Sequence, residues 1–199
     1  RSSDLPVNPF LENWMSEVQA NHSVDLIRTK SQLTSGDVLF LVSCSEIINR
    51  KYRQLYLHTL VLHASDLPKG RGWSPHVWEI VNGGGSITVS LIEAEGKVDT
   101  GRIWIKREIP IEQTALWDEV NSLLFRAEIE LMNEAVNQTE EIQPYSQNPN
   151  IEPTYYQKRT PLESKIDPEK SIAAQFNLIR ICDPERYPAW FELYAQKYK

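Results

Sequence analysis

Cysteine is scarce in this chain: Cys44 and Cys182 are the only two among 199 residues. A disulfide framework is excluded, and two thiols so far apart read as reduced and incidental, with one bridge at most. Metal-ligand spacing is missing as well. There is no Cys-x-x-Cys, and His22, His58, His63 and His76 stand at no zinc-binding interval, so no metal is expected. Positive charge is in deficit. The 21 Lys and Arg against 27 Asp and Glu leave a net −6, which argues against a nucleic-acid partner, because that binding runs on phosphate neutralisation. A few placed cations would still suffice for one diphosphate. No apolar run reaches the length of a membrane span and no signal peptide is visible, so no membrane partner and a cytoplasmic location are expected.

What is present is a good core. Hydrophobic residues make up 41% and aromatics 10% of the chain, enough for one domain with a small appendage. Asn8-Pro9 reads as a helix start, with Leu11, Trp14, Met15 and Val18 at helical spacing to about Ala20. Val24 to Ile27 is a short strand. Val38 to Val42 is a continuous apolar run, as expected of a strand buried on both faces. A short helix over Ser45 to Gln54 and a second buried strand, Thr59 to Leu62, complete a βαβ unit, which implies parallel pairing.

Further along come a helix from His76 to Val81, strands over Ser86 to Ile92 and Arg102 to Ile109, and a long helix from Glu112 to about Asn137. Gln143 to Thr160 reads as an irregular surface connection. A helix over Ser171 to Ile181 and a strand or hairpin arm over Ala189 to Tyr198 follow. The pattern predicts an α/β, Rossmann-like, mostly parallel sheet with helices on both faces. The core is expected over 1–138 and a C-terminal α+β extension over 139–199, made of an irregular linker (139–165) and a helix and final strand (166–199). Doubly wound domains begin with an apolar strand. The chain begins at Arg1 without one and ends at Lys199 without a cap, so the first strand is expected to be missing and both termini trimmed.

The stretch richest in chemistry is His63-Ala64-Ser65-Asp66-Leu67-Pro68-Lys69-Gly70-Arg71-Gly72-Trp73-Ser74-Pro75. A buried strand delivers His63 to its carboxyl end, where ligands of open α/β sheets bind. On local pattern alone, His63 fits a site residue and a histidine hydrogen-bonded to loop backbone equally well. Asp99, in Val98-Asp99-Thr100-Gly101, fits a turn cap better when taken by itself.

Together the two motifs resemble the signature of the folate-dependent formyltransferases, a His-Ala-Ser loop followed by a basic-Gly pair and, downstream, Asp-Thr-Gly. The resemblance covers about Gly36 to Ile109. Arg159-Thr160-Pro161, Ile166-Asp167, Asn177-Leu178-Ile179-Arg180 and Tyr187-Pro188-Ala189 are similar to elements of the sugar N-formyltransferases. The resemblance implies transfer of a formyl group from N10-formyltetrahydrofolate, as co-substrate, to the amino group of a nucleotide-linked amino sugar of the 4-amino-4,6-dideoxyhexose type. It also implies a role in bacterial surface polysaccharide synthesis and allows a homodimer.

By the same resemblance His63 is the donor and proton handler, and Asp99 orients it or accepts the proton. Val42, Ser43, Cys44, Ser45, Ile48 and Gly101 would hold the folate. Ser65, Lys69, Arg71, Gly72, Trp73, Asn177 and Arg180 would meet the acceptor, with Arg180 and Asn177 on its diphosphate. Tyr155, Tyr156 and Trp190 are stacking options for a base, beside the commoner role of packing. Ser45 fits equally well as a helix cap.

One position departs. The family has Asn two residues before the His, and Val61 stands there. Three readings follow from the sequence: a sugar-nucleotide N-formyltransferase; a formyltransferase for another amine, or a formyl-folate hydrolase; and a folate- or sugar-nucleotide-binding protein with impaired catalysis.

Overall fold

The computed structural model describes residues 4–199. Helix α1 (Asn8–Val18) carries Pro9 in its first turn and turns Leu11 and Trp14 inward. Strand β1 (Gly36–Leu41) leads through an irregular stretch to the single turn α2 (Arg50–Arg53) and then to β2 (Tyr56–His63). β1 and β2 pair in parallel, Gly36 opposite Tyr56 and Leu41 opposite Val61, so the βαβ unit read from the sequence is present.

After the two-residue β3 (Arg71–Gly72) and helix α3 (Pro75–Val81) come β4 (Ser86–Glu93) and β5 (Ile103–Pro110). The sheet order is β1-β2-β4-β5. Against the expectation of mostly parallel pairing, β4 runs antiparallel to both β2 and β5, so the described sheet is mixed. For the β4–β5 pair the physical reason is a short connection. β4 passes into β5 through the tight 94–102 loop, which permits only a hairpin.

Leu60 and Leu62 of β2, Ile87, Val89 and Leu91 of β4, and Trp104 of β5 join residues of α1, α3 and the long α4 (Trp117–Asn137) in the main core. The alternate side chains of β2 point the other way. There Val61 packs with Ile92, Ile103 and Leu67 of the site loop.

Several boundaries differ from the sequence reading. β1 is half-buried rather than enclosed, because among the described residues only one of its edges has a partner strand. Residues 24–27 form no ladder and instead line a cleft beside β1. Ser45 does not cap α2. Asn49 does, its side chain accepting from the Tyr52 N–H. α4 starts at Trp117 rather than at Glu112, because residues 112–115 close a turn and Glu119 reaches back to the Leu116 N–H.

The tail is bound to the core. β6 (Tyr155–Tyr156) pairs in parallel with β3, and Tyr145 exchanges two backbone hydrogen bonds with Ile103. Helix α5 (Ile172–Arg180) is capped by Ser171. The chain closes in a hairpin of β7 (Phe191–Leu193) and β8 (Gln196–Tyr198).

Candidate active site

The site starts from β2. The strand's alternation sends Leu60 and Leu62 into the core and turns Val61 and His63 toward the loops. His63 sits at the last position of the strand and is buried. Its Nε2 lies 2.9 Å from the carbonyl oxygen of Gly70, and its Nδ1 lies 3.6 Å from Asp99 Oδ1. The ring is therefore flanked by two acceptors, and only the imidazolium donates from both nitrogens. His63 thus touches loop backbone, as one reading of the sequence had it, and also faces a carboxylate.

Asp99 lies in the 94–102 loop at φ +53°, a left-handed conformation that Asp tolerates better than most residues. Its other oxygen, Oδ2, accepts from the Gly72 N–H at 2.8 Å. That bond joins the two motif loops directly. Two glycines make the approach feasible. Gly72 sits at φ +100°, and a Cβ on it would strike the Tyr156 carbonyl. A Cβ on Gly101 would strike the Glu93 carbonyl.

The loop from 64 to 74 is anchored elsewhere too. Ser90 Oγ donates to the Ser65 carbonyl at 2.7 Å, and Lys106 Nζ reaches the Leu67 carbonyl at 2.7 Å and the Asp66 carboxylate. Ser65 Oγ is buried and unpaired. Lys69 is exposed, and Trp73 is half-exposed with Lys158 Nζ 4.9 Å above its ring.

Arg71 is buried and does local work. Its Nη1 donates to Tyr155 Oη at 3.0 Å and its Nη2 to Gln147 Oε1 at 2.6 Å. Gln147 Nε2 donates in turn to the carbonyls of Asp99 (2.8 Å) and Gly101 (3.0 Å). Gln147, Thr154 (whose Oγ1 accepts from Gly70 N–H at 2.8 Å) and Tyr145 went unnoticed in the sequence. They sit in an aperiodic stretch, where no spacing signals a role.

A cleft of about 1650 Å³ runs from β1 to this pair, and Val42, Ser43, Cys44, Ser45, Ile48, His63, Trp73 and Asp99 all line it. Val42 and Ile48 form buried apolar ground, and residues 43–49 belong to no helix or strand. His76 lines the same cleft. Its Nδ1 is shielded without a partner, and its pKa is lowered to about 4, first by burial and then by His63 and Arg159. No group of three or more metal-ligating side chains occurs among the described residues.

Other expected contacts fall apart from the pair. Arg180 is buried; its Nη1 donates to the carbonyls of Glu112 (3.2 Å) and Ala115 (2.9 Å), and its Nε to Asn177 Oδ1 at 2.9 Å. Burial lowers its pKa. Those donors hold the turn before α4. Tyr156 stacks on Trp78, and Trp190 is buried with its indole N–H on the Pro161 carbonyl.

The site thus combines a mixed sheet, a His at the carboxyl end of a central strand, and an Asp-Thr-Gly loop folded against it. The family described as Formyl transferase matches residues 6–136, and the chain belongs to it. A methionyl-tRNA formyltransferase from Sinorhizobium medicae is 32% identical over 133 residues, 66% of this chain and 42% of that protein. The chain thus spans about half the length, or less, of the curated relatives it matches. Among solved structures, a methionyl-tRNA formyltransferase from Clostridium thermocellum superimposes with TM-score 0.82 at 25% identity, covering 97% of this chain and 86% of that one. A 4-N formyltransferase from Francisella tularensis gives 0.69 at 17% identity, covering 96% and 81%.

Proposed function

We propose that the chain transfers a formyl group from N10-formyltetrahydrofolate to the amine of a nucleotide-linked amino sugar. The observation that carries formyl transfer is the His63–Asp99 pair, joined through the Asp99–Gly72 bond, in a chain of the formyl transferase family. When bound, formyl-folate supplies an electrophilic formyl carbon. Val42 and Ile48 with the 43–45 backbone would hold its ring, and the apolar floor beside unladdered backbone fits that role.

His63 is placed to donate a hydrogen bond where negative charge develops on the formyl oxygen. For this its Nε2 must exchange the Gly70 carbonyl for that oxygen. Asp99 holds the ring's orientation and takes up the proton that the attacking amine releases. Val61 offers no amide, so the chain relies on one fewer side-chain donor than the family pattern.

The sugar acceptor is supported by the net charge of −6, which disfavours a polyanionic acceptor. Likeness of fold to the 4-N formyltransferase is compatible with it. A second reading, methionyl-tRNA as acceptor, is favoured by the names of the sequence relatives. The test is incubation with 10-formyltetrahydrofolate and either a panel of nucleotide-linked 4-amino sugars or charged initiator tRNA. Folate turnover dependent on an amino sugar is expected. Turnover with tRNA alone selects the second reading, and no turnover with either sinks both.

A further inference from the structure

The geometry points to Gln147 as a positioning residue that holds the Asp99 carboxylate against His63. The inference rests on the formyl-transfer reading for its kinetic consequence, but its structural content is independent of it. Asp99 stands in a left-handed conformation, which persists where its surroundings hold it. Two clasps impose it. The Gly72 N–H grips the carboxylate itself. On the main chain, a single side-chain NH₂ of Gln147 spends its donors on the carbonyls of Asp99 and Gly101, bracketing Thr100 from one point.

The amide's oxygen is also committed. It accepts from Arg71 Nη2, whose neighbouring Nη1 is fixed by Tyr155 Oη. Arg71 precedes Gly72, the residue that grips the Asp99 carboxylate. Gln147 therefore closes a ring of contacts that runs from Arg71 to Gly72, to Asp99 and back through its own amide. Only glutamine or asparagine presents two donors and an acceptor on one planar group, and the shorter asparagine would span less of the gap. The segment supplying Gln147 is itself fixed two residues earlier, by the Tyr145–Ile103 bridge. A stretch that resembles a linker thus completes the site. With the clasp removed, Asp99 itself keeps the Gly72 N–H on its carboxylate but loses the hold on its main chain, and the 3.6 Å spacing to His63 Nδ1 is no longer enforced from both sides.

The test combines two readouts on the full chain. His63 is titrated by NMR in wild type, Gln147→Ala, Gln147→Glu and Asp99→Asn, and kcat and KM with 10-formyltetrahydrofolate are measured alongside. Gln147→Glu keeps the size and the acceptor for Arg71 but loses both donated bonds, and it serves if the alanine variant folds poorly. The expected result is a His63 midpoint moved in the direction given by Asp99→Asn in both Gln147 variants. kcat should fall by about tenfold or more, with KM for folate nearly unchanged. A lowered melting temperature with unchanged His63 midpoint and kcat overturns the proposal and leaves Gln147 a strut. Wild-type-like behaviour of Gln147→Glu overturns it as well. If wild type turns over no formyl-folate, the functional reading fails, and the titration alone decides the role of Gln147.

Discussion

At His63 the backbone decides position and the neighbours decide chemistry. The strand places the ring at its carboxyl end, while Asp99 and the Gly70 carbonyl arrive from loops well apart in sequence. Replacing Asp99 by Asn keeps the shape but removes the charge facing Nδ1 and, on the proposed function, the proton acceptor. We expect kcat to fall by roughly 10²–10⁴-fold, read as folate release. Gly101 is a position with no room. In Gly101→Ala the new Cβ meets the Glu93 carbonyl, and overpacking of this kind costs about 1–3 kcal/mol, measurable by urea unfolding.

His76 adds a pH dependence. Folding lowers its pKa from 6.5 to about 4, so as pH falls the unfolded chain takes up the proton first. The stability at stake is fully present above about pH 6.5 and is lost progressively down to about pH 4. At about 1.4 kcal/mol per unit the loss is at most about 3.5 kcal/mol. His76→Gln should flatten the fall in urea midpoint between neutral pH and pH 4.5, and an unchanged slope would contradict the assignment.

Among the elements, α4 and α5 were legible because their apolar spacing and the Ser171 cap are local signals. The function of α5's last residue was not. Asn177 and Arg180 suggest an anion site by their one-turn spacing, yet Arg180 is buried against the turn that precedes α4. Arg180→Met leaves the buried Ala115 carbonyl short of a donor, at a cost of about 1–3 kcal/mol. A lower urea midpoint with an unchanged acceptor KM is the expected outcome, and a raised KM at unchanged stability would restore the anion-site reading. β1 shows the converse error. Its apolar run promised burial on both faces, but Val38 and Phe40 are only partly buried against the core, beside an open cleft.

For the whole molecule the acidic balance becomes a measurable property. An acceptor with one diphosphate releases few counterions, so raising salt from about 50 to 200 mM should change the acceptor KM by less than about tenfold. A tRNA engaging six to ten phosphates would lose about 10³–10⁵-fold in affinity over the same range. Salt dependence thus reads out the acceptor class without identifying the sugar. The described chain also has no helix long and apolar enough to cross a membrane.

The sequence by itself determined the α/β class of fold and the two motif loops, and its resemblance to the formyltransferases implied the pairing of His63 with Asp99. Each depends on local patterns: apolar runs for strands, glycines where backbones must touch, and motif residues in order. Tertiary structure alone decided that β4 runs antiparallel, that Arg71 and Arg180 spend their donors inside the protein, and that Gln147 reaches the Asp99 loop. Those outcomes are set by contacts between residues far apart in sequence. A buried cation or amide takes whichever carbonyls the fold brings within reach, and no spacing along the chain encodes which ones these will be.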